Sequence, residues 1–342
     1  MKKIWIAAGG TAGHINSAIV IGDELIDKDF EVKYISGQRD IDYKILKSKS
    51  AIHLCSKALM GRNIFKIIGS LFWNLFAFFK MMSQPAPLYA IGCGGFVCGP
   101  TLLAAKIKGS KIFILEQNSV MGFTNKILSK IADKIFISFP KTIGLKENYH
   151  LKSILVGNPI RKEIHHSAIR ENKEDLRVLV FGGSLGAEEI NNLIKSVLSK
   201  KFNFPMEIVH QVGKNKNFDF PNNSNIKYSQ FEYLDNIPEL YSWCDCIVSR
   251  AGASTISELL IVGKSSFLIP ALYHSDKHQV HNAEYLLTKD SESEISLEEN
   301  KHEERILKFF DRIFKNQKMK TNLSNEKRSE ELISQFLLEL EN

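Results

Sequence analysis

The sequence predicts an α/β protein of two similar halves, each a doubly wound parallel sheet with helices on both faces, and two observations carry that prediction. The first is a repeat: AAGGTAGHI, residues 7–15, has a counterpart in VFGGSLGAE, residues 180–188. Gly9, Gly10, Thr11 and Gly13 align with Gly182, Gly183, Ser184 and Gly186 at an offset of 173 in 342 residues, so the signature recurs once per half. The second is alternation. The apolar runs EVKYIS, LYAIG, KIFIL and KIFISF in the first half, and RVLVFG, EIVHQVG, CIVSR and SSFLIP in the second, are strand-like and separated by helical patterns. Strands that alternate with helices build parallel sheets, because parallel neighbours need a crossover between them.

Each half opens on an apolar strand, a glycine loop and then a helix start. That order gathers backbone N–H groups and the positive end of a helix dipole at one spot, which attracts anions. In open sheets of this kind the binding crevice lies outside the carboxyl ends of the strands. Further along, IFKIIGSLFWNLFAFFKMM, residues 64–82, has an apolar run broken by Ser70 and Asn74, too short for the ~20 apolar residues of a membrane span. At helical spacing Lys66, Gly69, Ser70, Asn74, Ala77 and Lys80 share one stripe, which leaves the rest of the circumference to Phe, Leu, Ile and Trp. With Lys57, Arg62, Lys66 and Lys80 close by, the segment is expected to lie on an anionic membrane surface with Ile68, Phe72, Trp73, Phe76 and Phe79 as contacts; the other reading is a fully buried helix. Residues 150–176 are polar and carry a Gly-Asn-Pro turn, as a linker would. The chain becomes densely charged from about residue 289 and ends in a helix whose Ile333, Phe336, Leu337 and Leu340 recur on one face.

Composition narrows the function classes. At 44% hydrophobic and 24% charged the chain is an ordinary globular protein with material for two cores. Its five cysteines make neither an even disulfide set nor paired zinc-ribbon motifs, which points to reduced thiols in a cytoplasmic protein. MKKIWIAAGG starts like a secretory leader, yet Gly9, Gly10 and His14 interrupt its apolar run and no cleavage site follows, so no export is expected. A net charge of +7 suits anionic partners such as phosphates or anionic lipid, while no Lys/Arg block is dense enough to suggest nucleic acid.

Seven stretches in order, GGTAGHINSA, GCGGFVCGP, LEQNSVMGFTNK, VGNPIR, FGGSLGAEEIN, SRAGASTISELLIVGK and HSDKHQVHNA, resemble the MurG family of bacterial N-acetylglucosaminyltransferases, over residues 9 to 285. The resemblance implies a GT-B fold, two Rossmann-like domains facing a cleft, with residues 1–157 as the acceptor and membrane-associated domain and 158–320 as the UDP-sugar domain. Residues 321–342 would form a C-terminal helix packing back on the first domain. It further implies a UDP-N-acetylglucosamine donor and an undecaprenyl-pyrophosphoryl-linked acceptor, converted from lipid I to lipid II with inversion at the anomeric carbon. No cofactor or divalent metal is expected. The expected place is the cytoplasmic face of the inner membrane, peripherally, with a cell-wall synthesis complex as a further partner.

Such a transfer needs a base for the acceptor hydroxyl and a cradle for the charge that grows on departing UDP. For the cradle, the resemblance assigns Arg161 and Ser184 to donor contact, with the run Ala253, Ser254, Thr255, Ile256 and Ser257 at a helix start. Leu234 would lie against the uracil, Glu258 would grip the ribose hydroxyls and Gln279 would hold the sugar. Other readings stand beside these. Thr255 and Glu258 have capping-box spacing, Arg161 has the look of a linker arginine, and Gln279 read alone is a solvated helix residue. For the base, His14 follows the first glycine loop and has an ordinary pKa near ~6.5; a loop-carbonyl hydrogen bond or a pyrophosphate contact would also explain it. Thr11, Ala12, Gly13 and Asn118 would line the same site. Glu116 is a second contender for base, or else packs against its neighbours. His274, Asp276, His278 and His281 have a superficial metal-site look that the resemblance explains without metal.

Several positions depart from the family pattern: Ala12 for glycine, Asn16-Ser17 for an aromatic-proline pair, Phe96 for tyrosine, Leu115 for histidine and Leu185 for glutamine. All but Leu185 fall in the acceptor half. Two other readings therefore accompany lipid II synthesis: another GT-B UDP-sugar transferase with a different acceptor, and a non-catalytic UDP-sugar-binding protein.

Overall fold

The computed structural model describes residues 2–57, 64–164, 174–183, 185–220, 223–273, 277–315 and 328–340, without the side chains of residues 64–67. Contacts divide the chain into two compact units, Met1–Arg161 with Lys327–Asn342, and Lys162–Glu326.

In the first unit β1 (Lys2–Ala7), α1 (Ala12–Ile26), β2 (Phe30–Ser36), α2 (Asp40–Ile45) and β3 (Ala51–His53) are followed by α3 (Ile64–Met82), β4 (Tyr89–Gly92) and α4 (Cys98–Ile107). Then come β5 (Lys111–Glu116), α5 (Phe123–Leu128), β6 (Lys134–Ile137) and β7 (Ser153–Leu155). The sheet is parallel throughout, in the order β3-β2-β1-β4-β5-β6-β7. Alternate strand residues feed opposite faces, as a period of two demands. Ile4, Ile6, Tyr34 and Phe113 pack under α1 with its Ile15 and Ile21, whereas Trp5, Ala7, Ile35 and Ile114 pack under Leu102 of α4 and under Ala77 and Met81 of α3. Residues 150–176 do not form a linker throughout, because their first part is β7, the edge strand paired with β6.

The second unit runs β8 (Leu176–Phe181), α6 (Glu188–Leu198), β9 (Met206–Gln211), β10 (Ile226–Phe231), α7 (Ile237–Trp243), β11 (Cys246–Ser249) and α8 (Ala253–Val262). It ends with β12 (Ser265–Leu268), α9 (His278–Lys289), β13 (Glu294–Ile295) and α10 (Glu299–Lys315). Its sheet is also parallel, in the order β10-β9-β8-β11-β12-β13. The chain then returns to the first unit as α11 (Ser329–Glu339), whose Ile333 and Leu337 are buried beside α1 and whose Phe336 stands edge-on to Phe113 and Phe136 at 5.9 and 5.7 Å.

This topology fixes where ligands can bind. In each sheet the winding reverses direction once, between β1 and β4 in the first unit and between β8 and β11 in the second. The loops leaving the carboxyl ends of those two strands splay apart there and leave a crevice.

Candidate functional site

At the first reversal point two glycine pairs meet. Gly9 donates its N–H to the Gly94 carbonyl at 3.1 Å, and Gly95 has φ +90° with so little room that a Cβ would stand 2.2 Å from the Gly9 carbonyl oxygen. Only glycine fits there. His14 sits on this platform. Its Nδ1 lies 3.0 Å from the Gly9 carbonyl oxygen. A carbonyl can only accept, so Nδ1 carries the proton and Nε2 keeps a basic lone pair. The ring rests against Gly94, where an added Cβ would meet Nε2 at 2.8 Å. Burial pushes the His14 pKa below 6.5, against the upward pull of the Gly9 hydrogen bond. The loop-carbonyl bond and a basic role are thus compatible, since they use different nitrogens. Thr11 is the N-cap of α1 and its side chain accepts from the His14 amide, while Ala12 and Gly13 begin the helix half-buried. Arg39 donates to the Gly10 carbonyl at 2.6 Å, adding a cation that no motif announced.

Glu116 is employed otherwise. Its carboxylate is buried at the end of β5 and accepts from the Asn118 amide at 3.0 Å, the Gly122 amide at 2.9 Å and the Asn125 side chain at 2.9 Å. Burial raises its pKa while these bonds pull it down. All three partners are N–H donors, two from the loop of residues 117–122 and one from Asn125 of α5, so the carboxylate clamps that loop against the helix that follows it. Asn118 is half-buried at the head of that loop. The Gly-Asn-Pro turn is anchored on the same loop: Asn158 donates to the Gln117 carbonyl at 3.0 Å and accepts from Ser138 at 2.9 Å. Arg161, three residues on, belongs to the first unit, and its carbonyl accepts from Arg328.

In the second unit, the glycine loop after β8 packs on the end of β9. Gly186 has φ +69°, and a Cβ on it would lie 1.9 Å from the Val212 carbonyl oxygen. Ser184 lies outside the described residues. Gln211 ties the site together: its Nε2 donates to the Gly183 carbonyl at 2.8 Å and its Oε1 accepts from the Leu234 amide at 3.0 Å, with the Leu234 side chain buried. Helix α8 begins after Gly252 with no side-chain cap. Thr255 is therefore the third helical residue and not the N-cap, so the Thr255/Glu258 spacing does not form a capping box. Ile256 faces the core, Ser254 and Ser257 are half-buried, and the N-terminal dipole of α8 is directed at the reversal point. Glu258 accepts from the buried Tyr241 hydroxyl at 2.7 Å, which sets its rotamer. Gln279 accepts from the Ala271 amide at 2.9 Å through Oε1. A further bridge joins the two loops: Arg250 donates to Glu189 at 2.7 Å and to the Ile269 carbonyl at 2.9 Å, and Glu189 meets His302 Nε2 at 2.9 Å. Although burial works against it, those bonds from His302 and Arg250 hold the Glu189 carboxyl below its usual range. Gln211, Tyr241, Arg250 and Glu189 escaped sequence reasoning because each acts through a partner distant in the chain.

His274 and Asp276 lie outside the described residues, while His281 pairs with Glu284 at 2.9 Å. Leu115 is 1% exposed in the core, so that departure from the family pattern does not reach the site, whereas Leu185 is 80% exposed.

Helix α3 turns its two faces opposite to habit. Ser70 and Ala77 are buried against the protein and Asn74 donates to the carbonyls of Lys57 and Ser70, both at 2.8 Å. Ile68, Leu71, Phe72, Phe76 and Phe79 stand exposed, Phe72 at 64%, with Trp73 partly so under Lys57. The small and polar stripe is the packed face, which rules out the fully buried reading. Arg62 and the Lys66 side chain lie outside the described residues. Among the described residues no helix is long and apolar enough to cross a membrane.

Comparison with known proteins agrees with this architecture. The Glycosyltransferase family 28 N-terminal domain matches residues 4–137 and the family 28 C-terminal domain matches residues 177–336. The UDP-N-acetylglucosamine--N-acetylmuramyl-(pentapeptide) pyrophosphoryl-undecaprenol N-acetylglucosamine transferase of Pseudomonas savastanoi is 34% identical over 83% of this chain and 82% of its own. The enzyme of the same name from Finegoldia magna is 32% identical over 94% of this chain and 92% of its own. The crystal structure of Acinetobacter baumannii MurG superposes with a TM-score of 0.74 at 22% identity, covering 99% of this chain and all of that one, and shares the GT-B fold. The chain belongs to the MurG family of glycosyltransferases, the N-acetylglucosamine transferases of glycosyltransferase family 28.

Proposed function

We propose that the protein transfers N-acetylglucosamine from UDP-N-acetylglucosamine to the 4-hydroxyl of the muramyl sugar of undecaprenyl-pyrophosphoryl-MurNAc-pentapeptide, lipid I to lipid II, in peptidoglycan synthesis. The relatives' names supply donor and acceptor; the single observation that supports the mechanism is His14, neutral at pH 7 with Nε2 basic. In this reading His14 Nε2 takes the proton of the attacking hydroxyl, the hydroxyl oxygen bonds to the anomeric carbon, and the bond from that carbon to the UDP oxygen breaks with inversion. Negative charge gathers on the departing diphosphate, where the α8 dipole, Ser184 and Arg161 stabilise it. Leu234 meets the uracil, Glu258 the ribose hydroxyls and Gln279 the sugar. The enzyme works peripherally at the cytoplasmic face of the plasma membrane, with the exposed face of α3 against anionic lipid.

A transfer assay with labelled UDP-N-acetylglucosamine and lipid I tests this. His14→Ala is expected to lower kcat by about 10² to 10⁴ with donor binding retained, and Glu258→Ala to weaken donor binding. Wild-type turnover in His14→Ala would remove that residue from the role.

A further inference from the structure

A cavity of about 350 Å³ opens in the first unit between α3, α4 and α5. That is within the ~300–1,000 Å³ of small-molecule sites, most of which are apolar with a few polar groups. Leu71, Leu75 and Phe78 of α3 face Leu103 of α4 and Ile127 of α5, and among its described lining the sole charge is Lys57, a cation. An apolar chamber matches a hydrocarbon chain, and Lys57 at its side, with its ammonium 5.5 Å over the Trp73 ring, suits an anionic head.

Its position narrows the occupant. Phe96 lines the cavity two residues after Gly94, the glycine that supports His14. Phe123 lines it directly after Gly122, whose amide is held by Glu116. The loop that supports the proposed base therefore continues into the chamber wall at Phe96. The outward face of α3, with Phe72, Phe76 and Phe79, adjoins the cavity through the exposed Leu71 and Leu75, so a chain leaving the bilayer meets the cavity at that edge.

We propose that this chamber receives the head-proximal isoprene units of the acceptor's polyprenyl chain, lifting them out of the bilayer so that the pyrophosphoryl sugar reaches His14. The proposal rests on the acceptor reading above and adds a binding subsite to it. It makes the enzyme sense the lipid chain itself and not only the head group.

Gly99 supplies a clean probe, because it lines the chamber and a Cβ placed on it meets nothing within 4 Å. Gly99→Leu sends its side chain from an open position into the chamber, and because Pro100 follows it, its melting curve is compared with wild type as a control for folding. In detergent-free buffer, full-length wild type is expected to use an acceptor with four isoprene units at least about tenfold better in kcat/KM than one with two, roughly the burial of two methylenes. Gly99→Leu should erase that preference while short-chain turnover, UDP binding and sedimentation with phosphatidylglycerol vesicles stay as in wild type. A second arm does not need turnover: tetraprenyl diphosphate, titrated by calorimetry, should bind wild type at least about tenfold tighter than inorganic pyrophosphate or a straight-chain alkyl phosphate of equal carbon number, and Gly99→Leu should lose the difference. Retained chain preference in Gly99→Leu, equal binding of the straight-chain probe, or lost vesicle sedimentation would each overturn the assignment. Absence of transfer to any acceptor would sink the enzymatic reading instead, and the titration would still decide the chamber.

Discussion

His14 shows how a loop sets the chemistry of one imidazole. The Gly9 carbonyl fixes its tautomer and burial lowers its pKa from 6.5. The neutral ring is the active form, so kcat/KM is expected to fall as pH drops through a value below 6.5 and to stay level above it; His14→Asn should abolish that acid limb in a pH–rate profile. The same sign holds for stability: His14 opposes folding only below 6.5, where the unfolded chain takes up a proton more readily. Gly94→Ala would push the ring aside, since its Cβ would sit 2.8 Å from Nε2. A displacement on the order of 1 Å costs about 10²-fold in turnover, so kcat should drop by that order while UDP affinity holds. The sequence placed His14 after its loop correctly but was silent on Gly94, because the contact joins positions 80 residues apart. Glu116 was legible only as a carboxylate at the end of a strand; the three N–H donors that occupy it come from the following loop and from Asn125 of α5, whose approach no spacing reveals.

Helix α3 was legible both as two stripes and in their sense, since the sequence already set Ile68, Phe72, Trp73, Phe76 and Phe79 outward, with a fully buried helix as the other reading. Periodicity separates Ser70, Asn74 and Ala77 from the large apolar residues, and packing excludes the fully buried alternative: the small stripe turns inward, where Ala77 is 1% exposed, while Phe72 stands 64% exposed. Phe72→Glu with Phe76→Glu should therefore leave the melting curve unchanged and weaken sedimentation with anionic vesicles, more so at high salt. Sedimentation equal to wild type would count against the membrane face. The strands divide in a similar way. All eight runs quoted from the sequence are strands in the structure, while β3, β7, β10 and β13 were not anticipated, and each is the edge of its sheet. Edge strands are covered on fewer sides and need no continuous apolar run, so composition does not betray them.

Both units repeat one design, a parallel sheet with its glycine loops at the reversal point, and the spacing of the two loops announced that. The end of the chain adds what the repeat omits. Helix α11 completes the core of the first unit with Ile333 and Leu337, although the second unit intervenes in sequence. Leu337→Ala is expected to destabilise by about 2–5 kcal/mol, as cavity-forming changes do. Urea unfolding followed by hydrogen exchange should show the loss in the first unit, with amides of β8 and β9 protected as in wild type; equal loss in both would contradict this division of the chain.

Glycine loops, strand alternation and helix stripes were readable from the primary chain because each rests on neighbours within a few residues, where backbone geometry imposes a period. That α3 is not fully buried, that Glu116 serves its own loop and that Tyr241 orients Glu258 emerged only with the packed structure; the return of the last helix to the first unit was an expectation of the family resemblance, and packing supplied its partners Phe113 and Phe136. These depend on contacts between segments far apart in sequence, and burial and partner choice there are settled by the fit of whole surfaces.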